Sequence, residues 1–212
     1  QEGTKELKEL FGAQVAEYPK PVSLVRSLIE LATASDDIVV DFFAGTATSA
    51  HAVLEVNHEL GSSRRFIMVQ LPEPTPADST AYAESYSTIA EVSKERIRRA
   101  IRGFAKEGED KLGLASTDAP DDHGFRVFKL DESRYRQWRG VTDREAQKYT
   151  DEMELFTDPL LPGWQPEDVI WEVALKEGYS LSSTAEALAE VKWNQVFRVT
   201  DPDREQSFCI CL

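Results

Sequence analysis

A chain of 212 residues, 41% hydrophobic and 29% charged, holds one sizeable core or one domain with a smaller appendage. No apolar run approaches the roughly 18 residues a membrane span needs, and a formal net charge of −14 argues against a protein that wraps nucleic acid by itself. The charge is uneven: residues 1–106 carry 12 Lys/Arg against 15 Asp/Glu and residues 107–212 carry 12 against 23, so an anionic partner should meet the first half.

In chain order, "TKELKELFG" has helical spacing and a glycine stop at Gly12. "EYPKPVSLVRSLIELAT" begins with a rigid Pro-Lys-Pro and continues as an amphipathic helix through Val22, Leu24, Val25, Leu28, Ile29 and Leu31. "SDDIVVDFFAG" reads as a buried strand, residues 47–60 as a helix and "RRFIMVQL" as a second buried strand. Strand, helix, strand in about 35 residues is a βαβ unit, which makes the two strands parallel neighbours. A proline-rich loop, "PEPTPADST", leads into a long helix expected over residues 80–106. Residues 107–124, rich in Gly, Asp and Pro, read as a linker. Beyond it, "GFRVFKL" alternates as a strand. "PEDVIWEVALKEG" is a helix opened by Pro166 and closed by Gly178, and "VFRVT" and "SFCICL" are strands joined by a polar turn.

The stretch "DFFAGTATSAHAV", residues 41–53, puts an acid, a glycine turn and a helix start in succession. Small residues there let a ligand approach the backbone, and the free N–H groups of the helix start attract a negative group. The turn is neither a dinucleotide fingerprint, because positions 47 and 50 are Ala, nor a phosphate loop, because no Gly-Lys-Ser/Thr follows. On these residues alone two readings stand: a cofactor site, or a glycine that merely closes a tight βα loop in a non-catalytic interaction module.

Three further features have ordinary explanations. The run Lys94, Arg96, Arg98, Arg99, Arg102 and Lys106 reads as a solvated helix face, with a phosphate-facing surface as the alternative. His51 and His58, seven apart, share a helix face without a third ligand and read as surface histidines. Cys209 and Cys211 fall on one face of a strand and read as small apolar residues of a reducing compartment. With the histidines far away in sequence, no metal site is expected.

The ordered series "YPKP", "DFFAGTAT", "RRFIMVQLPEP" and "IAEVSKERIRRA" resembles the C-terminal half of the catalytic domain of bacterial adenine-specific DNA methyltransferases. More narrowly, with "GFRVFKLDES", "VIWEVALKEGYSL" and the closing "FCICL", it resembles the modification (Mod) subunit of type III restriction–modification systems. The resemblance implies a Rossmann-like α/β methyltransferase half-domain over residues 1–106, a linker over 107–124, and a smaller, acidic α+β C-terminal module over 125–212. It implies S-adenosylmethionine as cofactor. Lys20 and Pro21 would lie against its methionine part, and Asp41, Phe42, Phe43, Gly45, Thr46 and Thr48 would form the turn that holds it. Ala47 departs from the family's second glycine, and Gln70 stands where many methyltransferases place an acid for the ribose hydroxyls. The partners implied are DNA, through the intact enzyme, a restriction subunit and a second Mod copy, in the cytoplasm. The family's catalytic Pro-Pro-aromatic motif is absent from the sequence. With Gln1 in first position, the chain is therefore expected to be a C-terminal piece, without a catalytic residue and inactive alone.

Overall fold

The computed structural model describes residues 2–112, 124–138 and 146–212, which divide into two units, residues 1–126 and 127–212. In the first unit the helical and extended signals become α1 (Glu2–Phe11), α2 (Val22–Ala32), β1 (Ile38–Asp41), α3 (Thr48–Leu60), β2 (Arg65–Met68), α4 (Thr80–Ala83) and α5 (Ile89–Leu112). The βαβ unit is present: β1 and β2 pair in parallel, from Ile38 opposite Arg65 to Asp41 opposite Met68. Alternation turns Val39, Phe66 and Met68 to one face. There they meet Ala52, Val53, Val56 and Leu54 of α3, with Val22 and Ile29 of α2 on one flank and Ile97 and Ala100 of α5 on the other. Leu7 and Phe11 of α1 form a separate cluster with Val92 of α5.

Both strands were expected to be buried. They are buried on one face only: Ile38, Val40, Ile67 and Val69 are each about half exposed, because helices cover a single side of the two-stranded sheet. Parallel sheets ordinarily have both faces covered.

The long helix expected over 80–106 is interrupted. After α4 the chain turns through Ser85 at φ 69°, and Tyr86 N donates back to Ala81 O at 2.9 Å. Residues 84–88 instead bond to the proline-rich loop, where Thr75 N donates to Ser87 O at 3.0 Å and Thr75 Oγ1 donates to Tyr86 O. Helix resumes at Ile89 and runs to Leu112, so residues 107–112 of the expected linker are helical; residues 113–123 lie outside the described residues.

The second unit contains α6 (Ala146–Leu155), α7 (Pro166–Lys176), β3 (Thr184–Ala187), β4 (Val196–Asp201) and β5 (Gln206–Cys211). The strands form an antiparallel sheet in the order β3-β4-β5. Val199 and Phe197 of β4 and Phe208 and Ile210 of β5 share the face that packs on Ile170 and Ala174 of α7. Pro166 stands in the first turn of α7, Gln165 and Asp168 form a reciprocal cap, and Gly178 follows its end at φ 80°. Residues 124–130, expected as a strand, form none: alternation supplies a face but no ladder partner. Cys209 and Cys211 do share a face, the exposed one opposite α7. Among the described residues no helix is long and apolar enough to cross a membrane, and no cluster of His, Cys, Asp and Glu has metal-site geometry.

Candidate functional site

The end of β1 passes into α3 through a turn held from four directions. Asp41 locks it from within, Oδ1 accepting from Phe43 N at 3.1 Å and Oδ2 from Ser49 Oγ at 2.6 Å. The end of β2 holds it from the side: Ala44 N donates to Val69 O at 3.1 Å, and Gly45 N donates to Gln70 Oε1 at 2.7 Å. The Gln70 amide donates in turn to Leu71 O at 3.2 Å, so both ends of this side chain are engaged by backbone. From beneath, Ser93 Oγ of α5 donates to Gly45 O, and Arg96 Nη1 donates to Thr48 Oγ1 at 2.8 Å and Thr46 Oγ1 at 3.1 Å. On the last side Thr48 Oγ1 lies 3.5 Å from Lys20 O, which ties the turn to the Pro-Lys-Pro segment.

Gly45 and Ala47 both take left-handed backbone, at φ 53° and 57°. For Ala this costs about 1–2 kcal/mol relative to Gly. Ala47 is fully buried and joins the apolar cluster of Ala50, Leu54, Ile97 and Ala100, whose contacts offset the strain. Its methyl group therefore belongs to the core and not to the outer surface of the turn. As N-cap of α3, Ala47 offers no side-chain acceptor, so the first N–H groups of the helix lack a side-chain cap. Earlier in the turn Phe42 and Phe43 are 66% and 83% exposed, their rings tilted with centroids 5.4 Å apart, and Lys20, whose carbonyl faces Thr48, is exposed.

The Pro-Lys-Pro segment is itself clamped by α1. Glu6 Oε2 accepts from Val22 N at 2.9 Å, placing a carboxylate at the start of α2, where Pro21 provides no cap of its own. Ser23 Oγ donates to Glu2 Oε1 at 2.7 Å. Between these two contacts stands Gly3, where a Cβ would lie 2.3 Å from Pro19 O and 2.8 Å from the Lys20 carbonyl carbon. Only glycine permits this approach.

The basic run on α5 is solvated only in part: Arg98 and Arg102 are exposed, as expected, and Arg96 and Arg99 are drawn inward. Arg96 is fully buried. Arg99 donates to Leu10 O at 3.0 Å and Glu95 Oε1 at 2.9 Å, and lies 4.6 Å from the centroid of the Phe11 ring. Arg102 pairs with Glu95, and Arg98 lies over Phe125. His51 is not a surface histidine either. Its side chain is 14% exposed, Nδ1 lies 3.4 Å from Arg96 Nε, and Nε2 lies 3.3 Å from Glu55 Oε1. Burial first, and then the Arg96 charge, lower its pKa to about 4, so the ring is neutral at physiological pH. Burial also lowers Arg96 to about 10, against the pull of Glu6 and Glu55, and raises Glu55. The second nitrogen of Arg96, Nη2, is buried without a hydrogen-bond partner. Such a donor costs about 1–3 kcal/mol.

The structure thus brings Lys20, Pro21, Asp41, Phe42, Phe43, Gly45, Thr46, Thr48 and Gln70 around one turn. It adds Gly3, Glu6 and Ser93, which pattern reading passed over, and Arg96, which it placed on a solvated helix face. Of the three passed over, Gly3 left a signal in the sequence, a glycine in a helix that gains nothing from it.

A family model described as DNA methylase, of the N6/N4 type, matches residues 2–102. The chain is also 43% identical over 129 residues to the type III restriction–modification enzyme StyLTI Mod subunit of Salmonella typhimurium, covering 61% of this chain and 19% of that protein. It is 39% identical over 129 residues to the EcoP15I Mod subunit of Escherichia coli, covering 60% and 18%. It is 30% identical over 101 residues to the type II methyltransferase M.KpnI of Klebsiella pneumoniae, covering 48% and 24%. The chain thus spans about a fifth of the length of the Mod subunits it matches, and the residues matched by the family model, 2–102, include the whole of the turn and its supports.

Proposed function

We propose that the methylase segment seats S-adenosylmethionine within the modification subunit of a type III restriction–modification system, an enzyme that methylates adenine N6 in DNA. The observation that carries this reading is the start of α3: a helix terminus without a side-chain cap, fixed by Asp41, Gln70, Ser93 and Arg96 and flanked by exposed aromatic rings and Lys20. These residues fit the cofactor's chemistry. The free N–H groups and Lys20 suit its carboxylate, and Phe42 and Phe43 offer apolar surface to its adenosine. The bound cofactor supplies an electrophilic methyl group; the chain's part is to bind and orient it. Gln70 serves the site first through Gly45 N, and its amide keeps a second hydrogen for a ribose hydroxyl.

In this reading the βαβ unit is half of a Rossmann-like domain. Its open face of Ile38, Val40, Ile67 and Val69 packs against the remainder of the catalytic domain, which also brings the adenine pocket. The second unit is a smaller α+β module serving dimerisation of Mod and contact with the restriction subunit, in the cytoplasm. The excess of acidic residues in 107–212, 23 against 12 basic, supports a protein-contact role there over a DNA-contact one.

Methyl transfer needs the flipped adenine, its hydrogen-bond acceptors and the methyl group held together at reacting distance. The sequence contains no Pro-Pro pair to build that adenine pocket. In an assay with radiolabelled S-adenosylmethionine and unmethylated genomic DNA, the 212-residue chain should stay at background while the full-length enzyme is active. Activity of the purified chain would overturn the division of labour proposed.

A further inference from the structure

Arg96 is costly to bury: a charged guanidinium with no exposed surface, a lowered pKa and one nitrogen left without a partner. A buried arginine that only filled space would be replaceable by an apolar residue of similar volume at no loss. Its contacts point instead to one place. Nη1 donates to the side chains of Thr46 and Thr48, the two residues that bracket the left-handed Ala47. No other described side chain is bonded to both sides of the turn's final reversal. On its far side Nε faces His51 Nδ1 at 3.4 Å, and His51 Nε2 faces Glu55 Oε1 at 3.3 Å. Because Arg96 donates to Nδ1, the ring proton sits on Nε2, directed at the Glu55 carboxylate. The chain Glu55–His51–Arg96 thus fixes the plane of the guanidinium, and both His51 and Glu55 stand on α3, the helix whose start the guanidinium braces.

We infer that Arg96 is a positioning residue for the cofactor turn, oriented by His51 and Glu55 and acting through Thr46 and Thr48. The inference rests on the turn being the cofactor's seat. Removing the guanidinium frees the Thr46 hydroxyl and leaves that of Thr48 only its long contact with Lys20 O, so the backbone donors at the start of α3 lose a fixed direction before the ligand arrives. That loss appears in affinity, because the ligand must then order the turn itself. A purely structural arginine would lower the melting temperature and leave affinity untouched in the folded protein.

The test measures S-adenosylmethionine affinity by calorimetry in the full-length enzyme, well below each variant's melting temperature. Arg96→Met should weaken binding about 10- to 100-fold, the usual range for hydrogen bonds to a charged group. Arg96→Lys should recover part of that loss, since an ammonium reaches one threonine but not both. His51→Leu, which removes the orienting acceptor and leaves Arg96 in place, should weaken binding about 3- to 10-fold and keeps the test decisive if Arg96→Met does not fold. Gly45→Val separates the two levels of the argument. If it binds as wild type, the seat itself is misassigned. If it loses binding while folded Arg96→Lys and His51→Leu bind as wild type, the positioning role alone is refuted.

Discussion

Replacing Gly3 by Ala adds one methyl group and should damage a site 15 residues and more away in sequence. The new Cβ would stand 2.3 Å from Pro19 O, 2.8 Å from the Lys20 carbonyl carbon and 2.9 Å from Lys20 O, all backbone atoms. To reach ordinary van der Waals separation α1 has to retreat by about 1 Å. The hydrogen bond from Val22 N to Glu6 Oε2, now 2.9 Å, would then exceed hydrogen-bonding distance. Overpacking costs about 1–3 kcal/mol and loss of a bond to a charged acceptor about 1.5–3 kcal/mol. Better helix propensity returns only about 0.5–1 kcal/mol. The net is a loss of about 2 kcal/mol or more, read as a drop of roughly 5 °C or more in melting temperature. Cofactor affinity should fall with it, because Lys20 and Pro21 move with the clamp. Gly103→Ala is the matched control: its Cβ would meet nothing within 4 Å, so the same substitution in α5 should be neutral or slightly stabilising. Equal melting temperatures and affinities for Gly3→Ala and wild type would refute the clamp.

Two other substitutions test particular residues of the turn. Ala47→Gly relieves left-handed strain of about 1–2 kcal/mol and gives up a buried methyl worth about 0.8 kcal/mol. Stability by denaturant titration should therefore change by about 1 kcal/mol at most, and cofactor affinity should not change; a large gain in affinity would show that the methyl faces the ligand after all. His51 is held neutral in the fold with its pKa at about 4, against 6.5 when unfolded. The unfolded chain therefore takes up a proton first as pH falls, so stability is intact above pH 6.5 and declines towards pH 4. The decline is roughly 3 kcal/mol at most, and the raised Glu55 offsets part of it because that group favours the folded state as it protonates. His51→Gln should flatten the slope over this range, and an unaltered slope would mean that His51 does not govern it.

The parts of the fold legible in the sequence were those set by short-range pattern. The β-branched run ending at Asp41, the apolar periodicity of 47–60 and the glycine between them specify a βαβ unit, because side-chain period alone separates strand from helix there. Pro166 and Gly178 mark α7 for the same local reason. Partnership was not legible. "GFRVFKL" alternates like a strand, but no ladder forms over it, and the break at Ser85 depends on a bridge from Pro74 to Thr88 that no local window contains. At the site, Asp41 and Gly45 stood out because their chemistry is local to the turn. Arg96 and Ser93 lie about 50 residues further on, within a basic helix that pattern reads as solvated, and only packing reveals that one of its arginines is buried. His51 was misread for the same reason: seven-residue spacing gives a face but does not say what covers it.

Photochemical labelling tests the assignment of the turn most directly. The full-length protein is irradiated with tritium-labelled S-adenosylmethionine, digested with trypsin and mapped, with excess S-adenosylhomocysteine as competitor. No Lys or Arg interrupts Ser27–Arg64, so the turn from Asp41 to Thr48 lies within a single peptide. Label in that peptide, lost on competition, is the expected result. Competable label confined to residues 127–212, with none in Ser27–Arg64, would contradict the placement of the cofactor at this turn.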